Sequence, residues 1–298
     1  MILEFLKSFI LGVVEGITEW LPVSSTGHLI LVDEFLRLKV SDDPDANEAF
    51  IKMFDVVIQL GAIMAVVVIF WKKLIPFASR ESNPHPWKKD GFGSYIKTDI
   101  MQMWFKVIVA CIPAAVIGLL VDDWIDEHLY NPWVVAVALI TFGVAFILVE
   151  NWNKDRKPKV NSIPELTYQA ALIIGGFQLL AALFPGTSRS GATIVGALLI
   201  GISRTVAAEF TFYLAIPVMF GASLLKIAKY MLKDGGTFTA PEIFALFIGM
   251  AVAFAVSIFV IKFLMDYIKK HDFKVFGWYR IVLGALVLLY FGIKAIAF

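Results

Sequence analysis

Cysteine is almost missing from this chain: Cys111 is the only one in 298 residues, and it lies inside an apolar run. That excludes an intrachain disulfide, a paired-thiol redox centre and a thiolate zinc site. Charge is scarce too. Asp, Glu, Lys and Arg make up 17% of the residues and leave a net charge of +1, where soluble proteins carry about 25% charged residues. Without a clustered basic face, the chain is not expected to bind nucleic acid. Histidine occurs only at His28, His85, His128 and His271. No Walker loop, zinc-type histidine cluster or GxSxG elbow is present. What fills the sequence instead is hydrocarbon. Apolar residues reach 59%, against about 45–50% in soluble proteins, and mean hydropathy is +0.79. A chain this apolar cannot hide its surface in a core of its own, so it is expected to sit in a bilayer. The N-terminal stretch does not read as a signal peptide, because Glu4 precedes Lys7 and Glu15 and Glu19 interrupt the apolar run.

A membrane span needs about 20 mostly apolar residues. Six runs qualify, most of them extendable by a turn: Phe54–Trp71, Met103–Val121, Trp133–Val149, Phe210–Leu225, Ile243–Ile261 and Ile281–Ile293. Four further apolar segments, about 2–20, 25–37, 166–184 and 191–202, are short or carry carboxylates. They pair across polar, proline-containing breaks, Pro22-Val-Ser-Ser-Thr-Gly27 and Pro185-Gly-Thr-Ser-Arg-Ser-Gly191. Two helices meeting at such a break read as a hairpin that enters the membrane and turns back. Irregular backbone at that depth is tolerated only where protein or a wet cavity covers it.

The order of features repeats. Gly12 and Glu15 precede Pro22 by ten and seven residues, and Gly175 and Gln178 precede Pro185 by the same distances. A hydroxyl residue and a glycine close each break, and a span opening with Phe54 or Phe210 follows. The expected fold is therefore all-α and polytopic, with six transmembrane helices and two re-entrant hairpins. Residues 1–151 and 163–298 form two repeats, each a hairpin plus three spans. Three is odd, so the second repeat must be inverted, which puts the site near the midplane where the broken elements meet.

Loop charge suggests an orientation. Basic residues gather in 72–97 (Lys72, Lys73, Arg80, Lys88, Lys89, Lys97), in 154–159 and in 269–280 (Lys269, Lys270, Lys274, Arg280). Segment 122–128 holds only Asp122, Asp123, Asp126 and Glu127 as charged residues. This places the basic loops inside and the acidic one outside, although Lys226, Lys229 and Lys233 count against the scheme.

Ionisable groups within membrane segments are costly and read as functional by default. Glu15 and Glu19, four apart, share a helical face. Two anions that close hold a proton or a hard cation such as Mg²⁺ or Ca²⁺; alternatively they only brace the adjoining loop. That loop, Ser24-Ser25-Thr26-Gly27-His28, offers hydroxyls, backbone amides and an imidazole. Amides at a helix start attract phosphate, and the same geometry makes ordinary N-caps. His28 can serve as base, nucleophile or structural donor. In the second break Thr187, Ser188 and Ser190 surround Arg189, which suits a two-pronged grip on phosphate; the plain alternative is a snorkelling arginine. Arg204 fits that interfacial role better, and Asp55, Gln59, Lys106, Gln178 and Glu209 are weaker candidates that can pair locally.

Glu15-Gly-Ile-Thr-Glu19-Trp-Leu-Pro-Val-Ser-Ser25-Thr-Gly-His28 and Pro185-Gly-Thr-Ser-Arg189-Ser-Gly resemble the two signature motifs of the bacterial undecaprenyl pyrophosphate phosphatases of the bacitracin-resistance type. The resemblance continues through Ile58-Gln-Leu-Gly61, Ser203-Arg204 and the Phe210 span, over nearly the whole chain. It implies an inner-membrane enzyme that removes the terminal phosphate of a C55 lipid pyrophosphate and so recycles a cell-wall lipid carrier. It also implies a divalent cation, a homodimer and a site open to the outer face. Glu15, Glu19, Ser25, His28 and Arg189 become the functional set, with Thr26 and Ser188 beside them. On this reading Glu15 and Glu19 hold the cation or tune His28, and Arg189 and the loop amides grip the pyrophosphate. Ser25 is the first choice of nucleophile, with His28 or water as substitutes. An inverted-repeat transporter or lipid flippase for an anionic substrate would share the architecture but not the chemistry.

Overall fold

The computed structural model describes residues 2–79, 83–88 and 90–297; Arg80 and Lys89, and the side chains of Asp122, Asp123 and Asp126, lie outside the described residues. Among these the chain is helical, with only isolated β-bridges in its loops. The order is α1 (Ile2–Thr18), α2 (Ser25–Leu36), α3 (Pro44–Val57), α4 (Gln59–Ile69), α5 (Trp71–Leu74), α6 (Thr98–His128), α7 (Pro132–Asn153), α8 (Tyr168–Leu183), α9 (Arg189–Leu199), α10 (Arg204–Leu232), α11 (Ala240–Tyr267) and α12 (Lys274–Ala297).

The helix starts follow local chemistry. Asp43 caps α3 by accepting from the Asp45 and Ala46 amides, and Asn131 caps α7 at Val134. Proline, which has no amide to leave unpaired, opens both helices. At α11 the Glu242 carboxylate reaches back to the Thr239 amide at 2.8 Å.

Among the described residues six helical stretches are long and apolar enough to cross a membrane: Pro44–Ile69, Thr98–Gly118, Pro132–Asn153, Arg204–Leu232, Ala240–Tyr267 and Lys274–Ile296. Each contains or overlaps one of the six expected runs. The first is α3 and α4 together, kept nearly continuous because Ile58 between them stays right-handed helical. The four shorter segments form α1, α2, α8 and α9. Phe247, Phe259 and Leu289 are each more than half exposed, an apolar surface suited to lipid rather than water.

Lipid gives helices no hydrophobic reason to associate, so close backbone packing must supply contact energy. The crossing of α7 and α12 shows how close. A Cβ added to Gly143 would stand 2.7 Å from the Gly277 carbonyl oxygen, and one added to Gly277 would stand 2.7 Å from that of Gly143. Only glycine allows this reciprocal approach.

One expectation is corrected here. Arg280 is not a loop cation: it lies inside α12 and is wholly buried. The helix begins at Lys274 rather than near Ile281, so the cations before it extend to Lys274 only.

Candidate active site

Both breaks end in the same device. Ser24 (φ 75°) caps α2 and accepts from the Gly27 amide, while Ser188 (φ 68°) caps α9 and accepts from the Gly191 amide. Among the described residues these are the only non-glycine residues with positive φ. Such backbone costs about 1–3 kcal/mol and persists where surrounding structure enforces it, often at functional sites.

Across the breaks, Glu19 is the junction. Its Oε2 accepts from Ser25 Oγ at 2.8 Å and its Oε1 from Arg189 Nη2 at 2.9 Å. Ser190 Oγ donates to the Glu19 backbone carbonyl at 3.1 Å. The second arm of Arg189 reaches the Thr211 carbonyl at 3.1 Å, and its guanidinium lies 6.0 Å from the Trp20 ring centre. Ser188 and Ser190 hydroxyls are 3.2 Å apart. Glu19, Arg189, Ser25 and Ser190 therefore belong to one buried or half-buried polar layer. The buried Glu15 lies one helical turn before Glu19, whose amide donates to the Glu15 carbonyl at 3.0 Å.

Polar atoms left over cluster in the same place. Among the described residues, buried side-chain nitrogen or oxygen atoms without a hydrogen-bond partner fall on Glu15, Trp20, Gln178, Thr187 and Arg189. All lie within or just ahead of the two breaks. Both Glu15 oxygens are in this group, and leaving buried polar atoms unpaired is expensive. No group of three or more His, Cys, Asp or Glu side chains stands together among the described residues. A cation here would take the Glu15 and Glu19 carboxylates and fill its shell with substrate oxygens and water, the habit of Mg²⁺ at phosphate sites. The donor set fits that group.

A cavity of about 730 Å³ adjoins the layer at Thr26 and Pro185. Cys111, Gly118 and Pro217 line its apolar body, and Asp55 lies in its wall. It runs to the end of the bundle marked by Arg37, Lys52, Tyr130 and Lys226.

His28, one turn after Ser25 on α2, makes no hydrogen bond to Ser25 or Glu19. It lines a separate groove of about 250 Å³ with Tyr279. Its Nδ1 is 2.7 Å from the Ser24 carbonyl, and its Nε2 is 2.7 Å from the Tyr279 hydroxyl. A carbonyl can only accept, so Nδ1 carries the proton, and in the neutral ring Nε2 then accepts from tyrosine. Gly27 is buried beneath Leu139. Arg204 is more than interfacial: it makes a forked pair with the buried Glu150 carboxylate, 2.5–3.2 Å. Glu209 pairs locally only with the Tyr213 hydroxyl one turn on; its ion-pair partner, Lys73 at 2.8 Å, is 136 positions away.

Sequence reasoning missed Arg280. Its Nη1 donates to the Pro22 carbonyl at 3.2 Å, and Nη2 to those of Gly186 and Thr187 at 3.0 and 2.7 Å. The usable signal was its place beyond Phe276-Gly-Trp-Tyr279, where an apolar helix is already under way.

These features define a class: a polytopic α-helical membrane protein whose polar site is assembled from two capped helix breaks, carboxylates on one and arginine on the other. The chain belongs to the family described as bacitracin resistance protein BacA, whose profile matches residues 8–286. It is similar to an undecaprenyl-diphosphatase of Desulfitobacterium hafniense, 59% identical over 295 residues and 99% of both chains. An undecaprenyl-diphosphatase 1 of Clostridium acetobutylicum is 59% identical over 97% of this chain and 98% of its own. One from Enterococcus faecalis is 58% identical over 96% of this chain and 97% of its own.

Proposed function

We propose that this protein hydrolyses undecaprenyl pyrophosphate to undecaprenyl phosphate and inorganic phosphate in the bacterial inner membrane, recycling a cell-wall lipid carrier. The observation that carries the reading is Glu19 held between the Ser25 hydroxyl and the Arg189 guanidinium. Phosphoryl transfer needs positioning and charge neutralisation more than covalent help. Ser25 Oγ attacks the terminal phosphorus, its proton passes to Glu19, and the lipid monophosphate leaves. Water then cleaves the phosphoserine, releases phosphate and restores the hydroxyl. Arg189 and the amides at the starts of α2 and α9 bind the phosphate oxygens, with Ser24, Thr26, Gly27, Thr187, Ser188 and Ser190 shaping that cradle. A divalent cation, Mg²⁺ or Ca²⁺, held by Glu15 and Glu19, would supply further neutralisation of phosphate charge. The lipid tail leaves through the apolar cavity. His28 contributes by fixing the Ser24 carbonyl.

Inorganic phosphate release from undecaprenyl pyrophosphate by purified protein tests this. Release is expected, with loss in chelator and recovery on adding Mg²⁺ or Ca²⁺. Binding without release would favour a transporter; full activity in chelator would leave the glutamates without a metal.

Re-entrant hairpins and an inverted repeat are part of the proposal. Helices of 12 and 11 residues, α2 and α9, reach only about 16–18 Å, short of a hydrocarbon core of about 30 Å. The counterparts also pack alike. Gly12 of α1 lies against the Gly249 carbonyl of α11, and Gly175 of α8 against the Ala110 carbonyl of α6. The cavity mouth shares its end of the bundle with the close of α6, where the acidic segment lies, which supports an outward opening. A cysteine at Glu127, with Cys111 replaced, should label from outside intact cells, and one at Lys88 only after permeabilisation. Labelling of both from one side would reject the orientation.

A further inference from the structure

Arg280 takes no part in the reaction described above, yet it is the most deeply buried cation near it. Its side chain has no exposed surface. Among the described residues no carboxylate forms an ion pair with it. Every hydrogen bond it makes goes to a backbone carbonyl, and those carbonyls come from both breaks: Pro22 in the first, Gly186 and Thr187 in the second. Nε adds a long contact to Leu139 of α7 at 3.5 Å. The residue before it extends the pattern, because Tyr279 bonds His28, which in turn bonds the Ser24 carbonyl.

Keeping an unpaired guanidinium inside a membrane protein is costly, so its return must lie in what it holds. A guanidinium is a rigid planar fork with five N–H donors. One group can therefore fix carbonyls of two separate chain segments at a set distance. The segments it fixes lie immediately before the strained serines that cap α2 and α9, and so before Ser25 and Arg189. We infer that Arg280 is a positioning residue that sets the spacing between the Glu19–Ser25 half and the Arg189 half of the site. This inference rests on the phosphatase reading for its kinetic consequence, though not for its structural one.

Arg280→Lys keeps the charge but gathers its donors on a single nitrogen, which cannot span both breaks. A misplacement of about 1 Å in a reacting site can cost roughly 100-fold in rate. We expect Arg280→Lys and Arg280→Gln to lose between about tenfold and 100-fold in kcat while thermal unfolding in detergent still reports a folded chain. If the loss arises by misplacing Arg189, combining Arg280→Lys with Arg189→Lys should cost at most about threefold beyond Arg189→Lys alone. Losses that multiply, or Arg280→Lys turning over like the parent, would overturn the inference. So would failure of both variants to fold, since Arg280 would then serve the fold rather than the site.

A second readout does not depend on turnover. Spin labels at Thr26 and Pro185, with Cys111 replaced, should give one narrow distance in the parent and a broadened or displaced one in Arg280→Lys. An unchanged distance overturns the inference. If the parent releases no phosphate, the phosphatase reading fails while the label distance still decides the role of Arg280.

Discussion

Arg189→Ala should lower turnover by about 10³–10⁵, the range an arginine that stabilises transferred phosphoryl charge is worth elsewhere. Arg189 is fixed before substrate arrives, by Glu19 at 2.9 Å and the Thr211 carbonyl at 3.1 Å, and its Nε is buried without a partner. Lysine restores the charge but only one of those two anchors, so Arg189→Lys should fall between the parent and Arg189→Ala. Alanine also strips Glu19 of its counter-charge in a site where Glu19 is only 7% exposed. Thermal unfolding must therefore be read beside single-turnover rates. Turnover by Arg189→Ala equal to that of the parent would remove the second break from the chemistry and reject the proposed site.

Ser25→Ala is expected to abolish turnover while leaving lipid pyrophosphate binding nearly intact, because Arg189 and the loop amides remain. Glu19→Gln should lose rate as severely, since an amide accepts the serine proton poorly and can no longer pair with Arg189 as an anion. His28 separates the rival nucleophiles. Its Nδ1 sits on the Ser24 carbonyl, and an asparagine amide can reproduce that single bond. His28→Asn should then retain clearly more kcat than His28→Ala. Equal loss in both, with substantial turnover left in Ser25→Ala, would transfer the nucleophilic role to the imidazole.

The helical membrane fold was readable because bilayer residence imposes a long apolar run on every span, and α3 with α4, α6, α7, α10, α11 and α12 could not hide theirs. The breaks were readable because Pro22 and Pro185 end helices and the following hydroxyl residues cap new ones. The reach of each polar side chain across the bundle was not readable. Glu19 and Arg189 are 170 positions apart, and only packing brings them together. His28 stands one helical turn after Ser25, yet its ring bonds the Ser24 carbonyl and Tyr279 while the serine bonds Glu19. A spacing of three does not say which partners either side chain will take. Arg280 followed Lys269, Lys270 and Lys274 and so shared their loop charge. An arginine that bonds only carbonyls leaves no complementary residue type in the sequence to reveal its partner.

The contact between Gly143 and Gly277 has a consequence for ancestry. Each glycine meets the other's carbonyl at the same 2.7 Å, and such reciprocity is how two identical subunits meet on a two-fold axis. On the proposed repeat, this crossing is what a half-length ancestor would have formed by pairing with itself. A symmetric pair must carry the same residue on both sides of its axis, so any carboxylate there would face its own copy. On the same proposal, joining the halves in one chain would lift that constraint. One break would then carry Glu15 and Glu19 and the other Gln178 and Arg189, with opposite charges divided between two descendants of one segment.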